Sequence, residues 1–209
     1  MVSQQVRAGD VLDPAVLAVM GEVPRERFVP PAYRSLAFAD TAIPLLSPPG
    51  GPRMLTPQVA GRILQSLEIG ADDHVLEVGS GSGFLTACLG RLAGRVTSLE
   101  ISPELADLAR RNLRDLHLSN CEVLTQDVFR WQPTGLFNCI AVTGSLPVPD
   151  TRFQDWLAPG GRLFLTVGQA PPMEAWLLRH ENGQFTRESL FETMLPALQN
   201  APQAEPFSF

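Results

Sequence analysis

The chain has 209 residues, 44% hydrophobic and 18% charged, enough for a globular fold with a sizeable core. Its net charge of −6 argues against a broad grip on nucleic acid, which needs basic surface, and all 16 basic residues are arginine, which excludes lysine Schiff-base chemistry. No apolar run approaches the roughly 20 residues needed to cross a bilayer, and Met1 to Asp10 lack a basic-then-apolar leader pattern, so a cytoplasmic protein with no membrane partner is expected.

In chain order, Asp13-Pro14 ahead of Ala15 to Met20 predicts an N-capped helix with proline at its first position, broken at Gly21. From Val23 to Leu45 the proline density rules out a long regular element and predicts an ordered layer of loops and short helices. Residues 1–57 are therefore expected to cover a core formed by 58–209, the two making one compact domain. Thr56-Pro57 reads as the cap and first turn of a helix running to Leu67. His74 to Gly83 then gives an apolar strand, a turn of alternating glycines and a helix start at Phe84. Glycines at 79, 81 and 83 strip Cβ atoms from the loop, so a ligand can lie against the backbone. A dinucleotide fingerprint fails, because its third glycine would fall on Phe84; a glycine-rich turn with no ligand is the alternative.

Downstream, a second strand over Arg95–Glu100 ends in an acid, and Ser102-Pro103-Glu104 starts a helix with Leu105, Leu108, Ala109 and Leu113 at helical spacing. A third strand over Cys121–Thr125 leads to Gln126-Asp127. Phe137 to Val142 predicts a strand buried on both faces that stops at Thr143-Gly144-Ser145, and Leu163 to Gly168 a fifth strand. Glu174–Arg179 and Phe185–Leu190 flank the Asn182-Gly183 turn as an antiparallel hairpin, and the tail after Pro196 is expected to be loosely ordered. The fold class is α/β: a doubly wound, mostly parallel sheet with a C-terminal antiparallel hairpin and an N-terminal helix and loop cover. Cys88, Cys121 and Cys139 read as reduced, buried packing residues, and His74, His117 and His180 form no cluster, so no metal site is expected.

The pattern Glu77-x-Gly79-x-Gly81-x-Gly83 resembles the first motif of class I S-adenosylmethionine-dependent methyltransferases. Val23-Pro24-Arg25 to Phe28-Val29-Pro30, with Tyr33-Arg34, Ala37 to Asp40 and Ile43-Pro44-Leu45, resembles the N-terminal region of protein-L-isoaspartate O-methyltransferases. The likeness continues through Val142-Thr143 and Leu157 to Leu163 and spans residues 5 to 170. It implies a Rossmann-like fold and S-adenosyl-L-methionine as cofactor, held by Glu77, Gly79, Ser80, Gly81 and Gly83, by Glu100 and Ile101, by Asp127 and Val128, and by Thr143. Glu100 would accept from the ribose hydroxyls, or else cap the next helix; Asp127 would stand near the adenine amino group, or else be a turn residue.

The implied reaction is methylation of the carboxylate of isoaspartyl residues in damaged proteins, a repair activity with a protein or peptide partner. In that family a Thr-Ile-Ser-x-Pro loop places a serine between donor and substrate; here the loop reads Pro48 to Gln58, with Thr56 at the serine position and the proline one place earlier. Thr56 is the candidate catalytic residue and Ser145 a candidate for the same cleft, while Thr56 as a helix cap is the competing role. No histidine falls in the glycine loop, the Thr56 loop or the segment after the fourth strand, which favours a carboxylate acceptor needing no base. The rebuilt loop leaves two alternatives, a methyltransferase for a different acceptor and a cofactor-binding protein without transfer chemistry.

Overall fold

The computed structural model describes residues 1–46, 51–171 and 173–203. Pro48 to Gly50 of the rebuilt loop and the end of the tail from 204 to 209 lie outside the described residues. Helix α1, Pro14–Glu22, is capped by Asp13, whose Oδ1 accepts from Ala15 N (2.7 Å) and Val16 N (3.2 Å). The expected break at Gly21 does not occur. The helix runs on to Glu22 and stops at extended Val23, because the residue before Pro24 is pushed out of the helical region. Short 3-10 turns over Arg25–Arg27 and Pro31–Leu36 form the proline-rich layer, followed by a two-residue antiparallel pair, β1 (Ile43–Pro44) and β2 (Arg53–Met54).

Helix α2, Pro57–Leu67, buries Ala60, Ile63, Leu64 and Leu67. The main sheet then begins with β3 (His74–Val78), α3 (Phe84–Leu92), β4 (Arg95–Glu100), α4 (Pro103–Asp115) and β5 (Cys121–Thr125). It continues with β6 (Phe137–Leu146), a four-residue α5 (Arg152–Asp155), β7 (Leu157–Val167), β8 (Met173–Glu181) and β9 (Gln184–Thr193). Strand order is β5-β4-β3-β6-β7-β8-β9; the first five are parallel and the last two antiparallel. Asn182 (φ 52°) and Gly183 (φ 74°) make the turn between β8 and β9, two left-handed residues as a tight hairpin requires.

Side chains alternate between two cores. Val75, Val96, Cys139 and Ala141 pack under α1 to α4 and the N-terminal layer, whereas Leu76, Leu99, Ile140 and Val142 pack against Phe153, Trp156 and Val128. The second face is covered by the short α5 and by loops rather than by long helices. Cys88 and Cys139 are buried as expected, but Cys121 is only half-buried, its thiol 3.7 Å from Thr86 O. Burial pushes the Cys121 and Cys139 thiols up to about 12, so neither is a nucleophile at neutral pH.

β6 is longer than the sequence pattern indicates. It runs through Thr143-Gly144-Ser145 to Leu146, with a register shift against β7 between Ala141 and Ser145. The tail after Pro196 also departs from expectation. Ser145 N donates to Pro196 O (2.9 Å), Leu198 N to Ser145 O (2.9 Å) and Ser145 Oγ to Leu195 O (3.0 Å), while Leu195 and Ala201 are buried. The segment from 195 to 201 is thus an ordered strap across the end of β6, because it satisfies backbone groups of β6 that lie beyond Val142, the last residue paired with β3.

Candidate active site

Sheet growth reverses between β3 and β6, and open α/β sheets take ligands in the crevice outside the carboxyl ends of strands at such a point. A cavity of about 320 Å³ lies there. Gly79, at φ 97°, leaves β3 by donating its N–H to Leu99 O (2.8 Å); a Cβ there would strike Thr143 Oγ1. Thr143 Oγ1 in turn lies 2.8 Å from Val78 O and 2.9 Å from Gly79 O and donates its one proton between them. Gly83, at φ 86°, is the N-cap of α3, and a Cβ added there would lie 3.1 Å from Ala109, so the glycine lets the helix approach α4 rather than facing the cavity.

Gly79, Gly81, Glu100, Ile101, Asp127, Val128 and Thr143 all line this cavity, although they come from four separate strand ends. Glu100 is 6% exposed; its Oε2 accepts from Gly81 N (2.8 Å) and its Oε1 from Ser102 N (3.0 Å). A carboxylate offers about four acceptor sites, so two remain for a pair of ligand hydroxyls. Asp127 is more fully committed. Its Oδ1 accepts from Phe129 N (2.9 Å), and its Oδ2 accepts from Asn200 Nδ2 (2.9 Å) and lies 3.6 Å from Arg130 Nε.

Glu77, Ser80, Gly83, Thr56 and Ser145 fall outside the lining of the large cavity. Glu77 is fully buried below the loop, where Oε2 accepts from Thr86 Oγ1 (2.5 Å) and Ser98 Oγ (2.5 Å) while Oε1 has no partner among the described residues. Ser80 Oγ is 2.5 Å from Ser98 Oγ, so this hydroxyl chain fixes the loop from beneath. Burial pushes Glu77 up to about 7, against the hydrogen bonds from Ser98 and Thr86 that favour its charge. Thr56 is half-buried and caps α2, accepting from Val59 N (3.2 Å). Ser145, expected beside the cleft, is fully buried and ties down the strap instead.

One wall of the cavity escapes a reading of the sequence, and in a second the loop is expected but not the residues that line it. Pro196 to Gln199 form one wall of the cavity, and nothing in their local pattern connects them to Ser145 and Asp127, more than 50 residues away. Gly51 to Arg53 and Leu55 form another, and Arg53 and Leu55 also line an adjoining pocket of about 40 Å³ with Gly79, Ser80 and Thr143. The loop is held by Arg25, itself fully buried. Arg25 Nε donates to Ala37 O (2.9 Å) and Nη2 to Leu55 O (2.6 Å), and its guanidinium lies 4.7 Å from the Phe84 ring centre. Burial lowers it only to about 10, so it remains charged at neutral pH.

A mostly apolar slot with one under-used carboxylate and a Cβ-free turn has the chemistry of a nucleoside site. Doubly wound topology, glycine loop and strand-end acid together define the Rossmann-like methyltransferase class. The model of the family described as Protein-L-isoaspartate(D-aspartate) O-methyltransferase matches residues 1–200, and the chain belongs to that family. Protein-L-isoaspartate O-methyltransferase 1 of Anaeromyxobacter sp. (strain Fw109-5) is 41% identical over 174 residues, which is 82% of this chain and 81% of that protein. Protein-L-isoaspartate O-methyltransferase of Rhodopseudomonas palustris (strain ATCC BAA-98 / CGA009) is 34% identical over 204 residues, 96% of this chain and 92% of that one. A candidate enzyme of this family from Plasmodium falciparum, solved with S-adenosyl-L-homocysteine, has the same fold: TM-score 0.77, 20% identity, covering 93% of this chain and 94% of that one.

Proposed function

We propose that this chain is an S-adenosylmethionine-dependent methyltransferase that esterifies the free carboxylate of isoaspartyl residues in proteins or peptides. The observation that carries the reading is the single switch-point cavity that gathers Gly79, Gly81, Glu100 and Thr143 and opens onto the Arg53–Leu55 loop. When bound, S-adenosylmethionine supplies a methyl already activated on a sulfonium. Glu100 would hold the ribose hydroxyls, Ile101 and Val128 the base, and Gly79 and Gly81 the backbone-lined end. Asp127 would act through its bond to Asn200, which fixes the wall beside the base. Glu77, Ser80 and Gly83 would shape the loop rather than touch the cofactor.

The chain's remaining task is to align an acceptor oxygen with that methyl and keep water out. No histidine lines either cavity among the described residues, and His74 begins β3 at the end remote from the glycine loop. Glu100 is turned to the ribose by the reading above, and Asp127 is occupied by hydrogen bonds. An acceptor already ionised at neutral pH is therefore the one this site suits, and a carboxylate is such a group. Thr56 keeps its proton after capping α2 and is the hydroxyl of residues 51–56 that could donate to the acceptor carboxylate. The following backbone nitrogen can attack the ester carbonyl, expelling methanol with its own proton to give a succinimide, which water reopens in part as normal aspartate; this is protein repair, and we place it in the cytoplasm. We further take residues 1–57 as a cover and 58–209 as the core of one compact unit.

A labelled methyl donor offered with an isoaspartyl peptide and its normal aspartyl isomer tests the reading. Base-labile label on the isoaspartyl peptide alone is expected. Donor binding with neither peptide labelled would contradict it and favour a different acceptor, as the rebuilt loop suggests; failure to bind the donor would overturn the site itself.

A further inference from the structure

Arg53 has no role in the chemistry described so far, yet it lines both the large cavity and the small pocket beside it. It is exposed and, among the described residues, makes no ion pair or side-chain hydrogen bond. It is also the one cation among the described residues that line either cavity, and it is paired with neither acid there, Glu100 or Asp127. Its backbone is fixed. Arg53 pairs with Pro44 across β1 and β2, Leu45 N donates to Pro52 O (3.0 Å), and the buried Arg25 holds Leu55 O two residues on. A guanidinium on such a support can be aimed at an anion without ordering a mobile loop first.

We propose that Arg53 is the specificity residue that receives the acceptor's carboxylate, an inference that rests on the carboxylate acceptor proposed above. One N–H donates to the oxygen that does not react, which leaves a lone pair of the other free for the methyl; the new O–CH3 bond forms as the S–CH3 bond breaks. The donor's own amino acid carboxylate has the same chemistry, so the experiment must separate the two sources. The position favours the acceptor, because the small pocket is lined by Arg53, Met54 and Leu55, by no residue of the strap or of the end of β5, and carries no other charge.

Kinetics of Arg53→Gln and Arg53→Lys with an isoaspartyl peptide, beside calorimetric binding of S-adenosylhomocysteine, distinguish the outcomes. For Arg53→Gln the peptide KM should rise about tenfold or more with kcat within about twofold, and product affinity should be unchanged. Arg53→Lys should recover part of the loss, since it keeps the charge but not the planar fork. Wild-type KM should rise with salt, as expected of an exposed cation, and that dependence should vanish in Arg53→Gln. Weakened product binding with an unchanged peptide KM would assign the guanidinium to the donor and overturn the proposal, and so would no change in either. If the wild type methylates no isoaspartyl peptide, the carboxylate reading itself has failed, which is visible before any variant is compared.

Discussion

Glu77 illustrates how one side chain can serve the site without reaching it. It lies under the glycine loop, accepts from Thr86 and Ser98, and is linked through Ser98 to Ser80. Burial raises its folded pKa from 4.5 to about 7. Between those values the folded chain binds more protons than the unfolded one, so this group's contribution to stability declines as pH rises through them. Glu77→Gln has an amide oxygen that can still accept both hydroxyls. Between about pH 5 and pH 8 the unfolding midpoint of the wild type should therefore fall more than that of Glu77→Gln, read by thermal denaturation in matched buffers. Parallel curves would mean that Glu77 is ionised throughout. The sequence marked Glu77 through its motif, but an acid before a glycine loop looks the same whether it points up to a ligand or down among Thr86 and Ser98.

At the scale of elements, the strap from Leu195 to Ala201 and the Arg53 loop complete a cavity that the sheet alone leaves open. The strap meets the sheet through Ser145, and Asn200 closes it against Asp127. Asn200→Ala should weaken S-adenosylhomocysteine binding about fivefold, the worth of about one net hydrogen bond. The thermal midpoint should barely move, because the bond is exposed. Calorimetry checks this, and an unchanged affinity would detach the strap from cofactor binding. These long-range ties explain what was legible beforehand. The cap at Ser102, the turn at Asn182-Gly183 and the glycine loop are set by neighbouring residues, and all stand where the pattern put them. The extension of β6, the strap and the end of α1 depend on partners elsewhere or on competition between Gly21 and Pro24, which local pattern does not rank.

For the whole molecule, topology does most of the positioning. Parallel strands with one reversal put the ends of β3, β4, β5 and β6 around a single crevice, so residues as distant as Gly79 and Thr143 meet there. That gathering follows from the α/β pattern. The acceptor side is less legible, because it depends on a loop whose residues depart from the family pattern and whose contacts come from Arg25 in the N-terminal cover. Repair is read most simply by following one isoaspartyl peptide by chromatography during incubation with this chain and S-adenosylmethionine. The isoaspartyl peak should decline while succinimide and then normal aspartyl peptide appear, only when donor is present. An isoaspartyl peak that persists unchanged, under conditions where calorimetry shows the donor bound, would contradict it.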